Sequence, residues 1–235
     1  MAQQLHLDVK LNDSFSFDNY LAARNREAVE RLAATVRALA AGHLPADRLI
    51  FLWGERASGK THLLQASCRL AQHHGNIPFA YVPLAMAREL SPGILEGLEQ
   101  LTLVCIDGID QICHEPAWEH ALFTLVERMR SAQGTLVLAA RVNPASLELT
   151  LRDLATRLGW GVVYRLHPLD ESEIVHALQL RAHNRGLEMA EKVARYVLHR
   201  YPRDAHSIFN LLERIDEASL VRQRRVTIPF LRTLE

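Results

Sequence analysis

The sequence predicts an α/β fold, a five-stranded parallel sheet with helices around it, followed by a smaller all-α unit. Three observations predict it. Residues Gly54-Glu55-Arg56-Ala57-Ser58-Gly59-Lys60-Thr61 have the G-x-x-x-x-G-K-T spacing of a phosphate-binding loop. Short apolar runs alternate with stretches of helical periodicity as far as Leu166. Beyond Pro168 the strand-like runs stop and helical spacing alone continues.

Residues 1–14 are polar and open and read as a tail. Asn25 to Ala41 is helical, with Val29, Leu32, Ala33, Val36 and Leu39 on one face, and Gly42-His43-Leu44-Pro45 ends it. Leu49 to Trp53 is a buried strand, and Thr61 to Leu70 a helix. Ile77 to Val82 is a second strand, closed by Pro83. Short helices are expected at Ala85 to Leu90 and Ile94 to Leu98, around Ser91-Pro92-Gly93. Leu101 to Ile106 is a third strand, almost wholly apolar as central parallel strands are. Trp118 to Met129 is a helix, Thr135 to Ala139 a fourth strand, Leu147 to Arg157 one or two short helices, and Val162 to Leu166 a fifth strand. Strands alternating with helices imply right-handed crossovers and a parallel sheet. Helices are expected at Asp170 to Arg185, Glu188 to His199, Asp204 to Arg222 and Pro229 to Leu234. The organisation is therefore a tail (1–14), an α/β base (15–167) and a helical unit (168–235).

A chain of 235 residues suits one α/β domain plus a small second one. Its 49% hydrophobic and 23% charged residues are ordinary for a soluble globular protein. Formal net charge is zero, so strong direct DNA binding through phosphates is not indicated. Cys68, Cys105 and Cys113 form no C-x-x-C pair, and neither zinc nor a disulfide framework is expected. His73 and His74 have no neighbour at ligand spacing and read as a surface pair. There is no signal-peptide pattern and no run of 18 apolar residues, so no membrane span and a cytoplasmic location are expected.

Each fixed position of the loop has a physical task. The glycines let backbone N–H groups turn inward around an anion, and the next helix adds its positive N-terminal end. Lys60 is placed to reach the β- and γ-phosphates, and the Thr61 hydroxyl to ligate Mg²⁺. The nucleotide-binding set is thus Gly54, Glu55, Arg56, Ala57, Ser58, Gly59, Lys60, Thr61 and His62 in the following turn. The chain has three lysines against 24 arginines, so a lysine here is not an accident of composition. Leu103-Val104-Cys105-Ile106-Asp107 is a strand ending in an acid, the Walker B pattern, and Asp107 is the second Mg²⁺ residue. An active ATPase of this arrangement carries a further acid next to it. Here that position is Gly108, and Asp110 lies two residues on. Slow or no intrinsic hydrolysis is expected.

With these motifs in place the chain resembles the AAA+ ATPases, whose P-loop base carries a C-terminal helical lid. Within them it resembles the DnaA/Hda family, the bacterial replication initiator and its regulatory relative. The resemblance rests on Phe15-Ser16-Phe17-Asp18-Asn19-Tyr20, on Gly59-Lys60-Thr61-His62-Leu63-Leu64, and on Asp153-Leu154-Ala155-Thr156-Arg157-Leu158-Gly159-Trp160-Gly161. It covers the chain from about residue 12 to the end. It implies ADP or ATP as cofactor with Mg²⁺, Asn19 and Tyr20 at the base pocket, and Arg157 as an arginine finger. Arg203 or His206, with Arg203 preferred, takes the sensor position of the lid, and Arg141 or Asn143 that after the fourth strand.

No segment after the lid resembles the initiator's helix-turn-helix domain, which implies the regulatory branch of the family. Its partners would be DnaA, whose bound ATP Arg157 would meet in trans, and the DNA polymerase sliding clamp (β subunit). Gln4-Leu5-His6-Leu7 resembles a clamp-binding peptide, with Gln4, Leu5 and Leu7 as its contacts. DNA would be reached only through the clamp. A finger requires a neighbouring subunit, which leaves a homodimer and a complex with DnaA both open. Two other classes remain: an autonomous ATPase acting as a helicase loader, and an adaptor with a vestigial nucleotide.

Overall fold

A computed structural model describes Leu11, residues 15–200 and residues 225–232. The described residues divide into two compact units. One contains the residues up to Phe17 together with Arg24–His167; the other contains Asp18–Ala23 and the chain from Pro168 onward.

The first unit is built on five parallel strands, β1 (Leu49–Trp53), β2 (Phe79–Pro83), β3 (Leu103–Asp107), β4 (Thr135–Ala140) and β5 (Val162–Arg165). Their order is β2-β3-β4-β1-β5. β3 and β4 are apolar because both faces of the sheet are covered. Helices α1 (Arg26–Ala40) and α2 (Lys60–His74) pack against each other, and α2 lies on β2, β3 and β4. α1 turns Ala28, Leu32, Val36 and Leu39 into the protein at spacings of four and three, one helical stripe. Helices α3 (Pro116–Ser131) and α4 (Arg152–Leu158) pack together in a second cluster. There Leu122, Leu125, Val126, Met129, Leu154 and Leu158 meet Phe51, Val104, Ile106, Leu136 and Leu138 from the strands. Burying one such side chain contributes about 1.5–3 kcal/mol, so these layers fix the strand ends that carry the chemistry.

The expected short helices around Pro92 are 3₁₀ turns, Leu84–Met86, Pro92–Leu95 and Leu98–Gln100. Segments of three or four residues broken by Pro92, Gly93 and Gly97 cannot sustain an α-helical ladder.

The second unit is helical, with α5 (Glu171–Asn184), α6 (Glu191–Arg200) and α7 (Ile228–Arg232) among the described residues. α5 begins with a capping box: Asp170 accepts from the Glu173 N–H at 2.9 Å, and the Asp170 N–H donates to the Glu173 carboxylate at 2.8 Å. Val175, Leu178, Ala182, Val193, Val197 and Leu198 form its core. It also holds a parallel pairing of two-residue strands, β6 (Glu188–Met189) with β7 (Arg225–Val226), which the helical reading did not contain. Two residues are too short to leave a period-two signal. The helix expected at Asp204 to Arg222 lies outside the described residues.

Residues 18–23 group with this unit and not, as the sequence reading had it, with the base. The tie is polar. Arg181 Nε donates to the Asn19 carbonyl at 3.1 Å, and Asn184 Nδ2 donates to the Asp18 carbonyl and the Asn19 side chain, both at 2.9 Å.

Candidate nucleotide site and arginine segment

The strand order puts the ends of β1 and β3 on either side of β4, and ligands of open parallel sheets bind beyond such carboxyl ends. The loop leaving β1 passes very close to the chain leaving β5. A Cβ at Gly54 would collide with the Leu166 carbonyl oxygen and come within 2.9 Å of Ser58 Oγ, so this position admits glycine. Gly59, at φ 89°, is the N-cap from which α2 starts. Lys60 Nζ lies inside this turn, donating to the carbonyls of Gly54 (2.7 Å) and Glu55 (2.8 Å) and to Ser58 Oγ (3.2 Å). Burial lowers the Lys60 pKa, while the nearby carboxylates of Asp107 and Asp110 act the other way.

β3 delivers Asp107 to the same place. Thr61 Oγ1 donates to Asp107 Oδ2 at 2.6 Å, and the Tyr81 hydroxyl, from β2, donates to the same oxygen at 3.1 Å. Burial raises the Asp107 pKa; the hydrogen bonds from Thr61 and Tyr81 and the Lys60 charge oppose that rise. Burial also raises the Tyr81 phenol well above its ordinary range. A hydroxyl and a carboxylate in contact, with a lysine alongside, are the oxygen donors and the cation that a magnesium–nucleotide complex requires. Among the described residues no cluster of His, Cys, Asp and Glu forms a self-contained metal cage.

Gly108 follows Asp107 at φ 84°, its N–H donating to the Ala139 carbonyl at 2.9 Å. Asp110, two residues beyond Gly108, is engaged by Arg141 and Gln111. Its Oδ1 accepts from the Arg141 N–H at 2.9 Å, and its Oδ2 accepts from Gln111 Nε2 at 3.0 Å and pairs with Arg141 Nε at 3.4 Å. Asp110 therefore fastens the exit of β4. Of the two residues considered after that strand, Arg141 is the partner of Asp110, and Asn143 accepts from the Ser146 N–H at 2.9 Å as a helix cap.

The structure brings together the loop, Lys60, Thr61 and Asp107. The His62 ring is buried, Nε2 lies 2.7 Å from the Ser16 carbonyl, and Phe15 stacks on it at 4.8 Å. It anchors the segment ahead of α1. Asn19 and Tyr20 belong to the second unit. Gln4, Leu5, Leu7, Arg203 and His206 lie outside the described residues.

Arg157 is in the last turn of α4. Its Nε donates to Glu127 Oε1 at 2.6 Å, and its guanidinium carbon lies 4.3 Å from the Phe123 ring centre and 5.1 Å from that of Trp160. Glu127 and Phe123 sit one turn apart on α3. A second carboxylate of α3 sets the start of α4. Glu119, fully buried, accepts from the N–H groups of His114 (3.0 Å), Thr150 (3.1 Å) and Leu151 (2.7 Å). Sequence reasoning missed Tyr81, Glu119, Phe123 and Glu127. One signal was available: Glu119 interrupts the apolar stripe of α3 at a position in register with Leu122, Val126 and Met129, where a charge must be satisfied internally.

A phosphate loop, a strand-end aspartate and a five-stranded parallel sheet define a P-loop NTPase of the AAA+ class. The sequence profile of the bacterial DnaA ATPase domain matches residues 11–165, and that of the Hda lid domain matches residues 170–234. The chain belongs to the DnaA/Hda family. Its fold is similar to domain III of the Thermotoga maritima initiator DnaA (18% identity, 95% of this chain and 96% of that one, TM-score 0.71). It is also similar to AMPPCP-bound DnaA from Aquifex aeolicus (20% identity, 87% of this chain, TM-score 0.70), of which it spans 66%. The Thermotoga maritima RuvB branch-migration motor shares the fold more distantly (17% identity, 93% of this chain and 70% of that one, TM-score 0.62). Among the described residues no helix is long and apolar enough to cross a membrane.

Proposed function

We propose that this chain binds ADP or ATP as a structural cofactor and activates, in trans, hydrolysis of the ATP bound to DnaA. One observation carries the reading. Lys60, Thr61 and Asp107, which this reading assigns to phosphate and metal, lie together, while the position after Asp107 is Gly108 and Asp110 is tied to Arg141. Such a site retains nucleotide better than it turns it over.

In this role Lys60 and the N–H groups of the loop hold the phosphates, and Thr61 and Asp107 hold magnesium, which neutralises phosphate charge. Arg157 donates to the γ-phosphoryl oxygens of the nucleotide on the neighbouring DnaA. A finger of this kind is worth about 10³–10⁵ in rate in GTPases. Gln4, Leu5 and Leu7 dock on the sliding clamp, and tethering to clamp-loaded DNA raises the effective concentration of a weak partner contact. The product, ADP-bound DnaA, no longer initiates, so the outcome is negative regulation of initiation in the cytoplasm.

The experiment is hydrolysis of ATP prebound to DnaA, with clamp-loaded DNA and this protein, comparing wild type with Arg157→Ala. Stimulation that disappears in Arg157→Ala is the expected result. A second reading, an autonomous ATPase acting as a helicase loader, is favoured by the intact contact between Thr61 and Asp107. Turnover by this protein alone, with none conferred on DnaA, would select it.

A further inference from the structure

We infer that Glu127 is the positioning residue of the arginine finger: it holds Arg157 by Nε and leaves both terminal nitrogens for an oxyanion on a docked neighbour. The inference rests on the trans-activator reading above and deepens it. Arg157 makes one hydrogen bond, from Nε to Glu127 Oε1 at 2.6 Å; among the described residues neither terminal nitrogen has a hydrogen-bond partner. A side-on or end-on bidentate grip by the carboxylate would have withheld the donors that bind phosphoryl oxygens. The grip observed occupies the one nitrogen that faces back along the side chain.

Two aromatic rings flank the guanidinium within cation–π distance. Phe123 (4.3 Å) and Trp160 (5.1 Å) both lie against it. Phe123 and Glu127 are four residues apart on α3, so one helical face supplies both the ring and the carboxylate. The carboxylate is itself oriented, because Oε2 accepts from Arg130 at 3.1 Å and the Arg130 guanidinium lies 5.0 Å from the Trp160 ring centre. One carboxylate shared by two guanidinium groups leaves this cluster with net positive charge, as an anionic target requires. The Arg157 side chain is 22% exposed and that of Glu127 28%, so the pair is partly shielded from water without being sealed from it. An arginine already ordered this way loses little rotamer freedom on donating to a phosphoryl group.

The test reads single-turnover hydrolysis of DnaA-bound ATP against the concentration of this protein, with clamp-loaded DNA. Glu127→Ala is expected to lower the limiting rate about 10- to 100-fold with the half-saturating concentration near that of wild type. Glu127→Gln, whose amide oxygen still accepts from Nε, is expected between the two. In the protein alone, the ¹⁵N-resolved Nε–Hε resonance of Arg157 is expected to shift and exchange faster in Glu127→Ala and to be largely kept in Glu127→Gln. A rate in Glu127→Ala equal to or above wild type would overturn the inference, the latter by making Glu127 a restraint. So would a loss confined to half-saturation, or an unmoved Arg157 resonance. Absence of stimulation by wild type overturns the trans-activator reading itself, a different result from an active wild type with an active Glu127→Ala.

Discussion

Thr61 Oγ1 meets Asp107 Oδ2 at 2.6 Å, joining the first turn of α2 to the end of β3 across 46 residues of chain. The pair assembles hydroxyl and carboxylate where a magnesium ion would be shared with phosphate. It also places a carboxylate in a poorly solvated position, with consequences for stability.

Asp107 has a raised pKa, first through burial. The folded state then holds this proton more tightly than the unfolded state. Its contribution to stability is present below the unfolded pKa and is lost as pH rises through the folded pKa. Without nucleotide, Asp107→Asn is therefore expected to raise the melting temperature at pH 7. The gain should vanish below about pH 4, where the wild-type carboxyl is protonated. The same variant should lose the magnesium dependence of nucleotide binding. Scanning calorimetry across pH, with and without Mg²⁺, checks both.

Lys60 donates three hydrogen bonds within the loop, and in the proposed role it contacts the phosphates. Charge-assisted hydrogen bonds contribute about 1.5–3 kcal/mol, so Lys60→Ala should weaken ADP binding by about 10- to 150-fold. Isothermal titration calorimetry gives the ratio directly. An affinity within a factor of two of wild type would mean that the loop does not hold the nucleotide.

Glu119 is buried and serves three backbone N–H groups, two at Oε1 and one at Oε2. Glu119→Ala leaves them unsatisfied and should cost about 3–5 kcal/mol, measured by urea unfolding. Glu119→Gln should be nearly as damaging, because its NH₂ would face a donor where Oε1 or Oε2 now accepts. Both should reduce Arg157-dependent stimulation, since Thr150 and Leu151 begin the helix that carries Arg157.

Arg157→Lys should behave like Arg157→Ala in stimulation, although it keeps the charge. Lysine has no Nε–H to give Glu127 while presenting two further donors, and no planar group to lie against Phe123 and Trp160. A lysine variant retaining most of the stimulation would show that charge alone suffices. The assay is hydrolysis of DnaA-bound ATP at saturating variant.

Much of this was legible in the sequence. The spacing from Gly54 to Thr61, the apolar run into Asp107 and the glycine after it are local patterns, and their chemistry follows from neighbours in the chain. The five strands and the long helices were legible because buried strands and amphipathic helices leave periodic marks. Segments of two to four residues leave none, so the 3₁₀ turns and the β6–β7 pairing appeared only in three dimensions. His62 shows what the local pattern does not carry: its ring meets the Ser16 carbonyl and stacks with Phe15, contacts made across about 46 residues.

By itself, then, the sequence determined the class of protein and pointed to Lys60, Thr61 and Asp107 as a candidate site followed by Gly108, because each is encoded by residue type at fixed local spacing. Tertiary structure alone decided what each charged group is bound to. Asp110 is committed to Arg141, Glu119 to the start of α4, and Glu127 to Nε of Arg157, over separations of about 30 residues. Such pairings depend on which strand and helix ends the sheet order brings together, and a desolvated charge takes whatever partner that order places within reach.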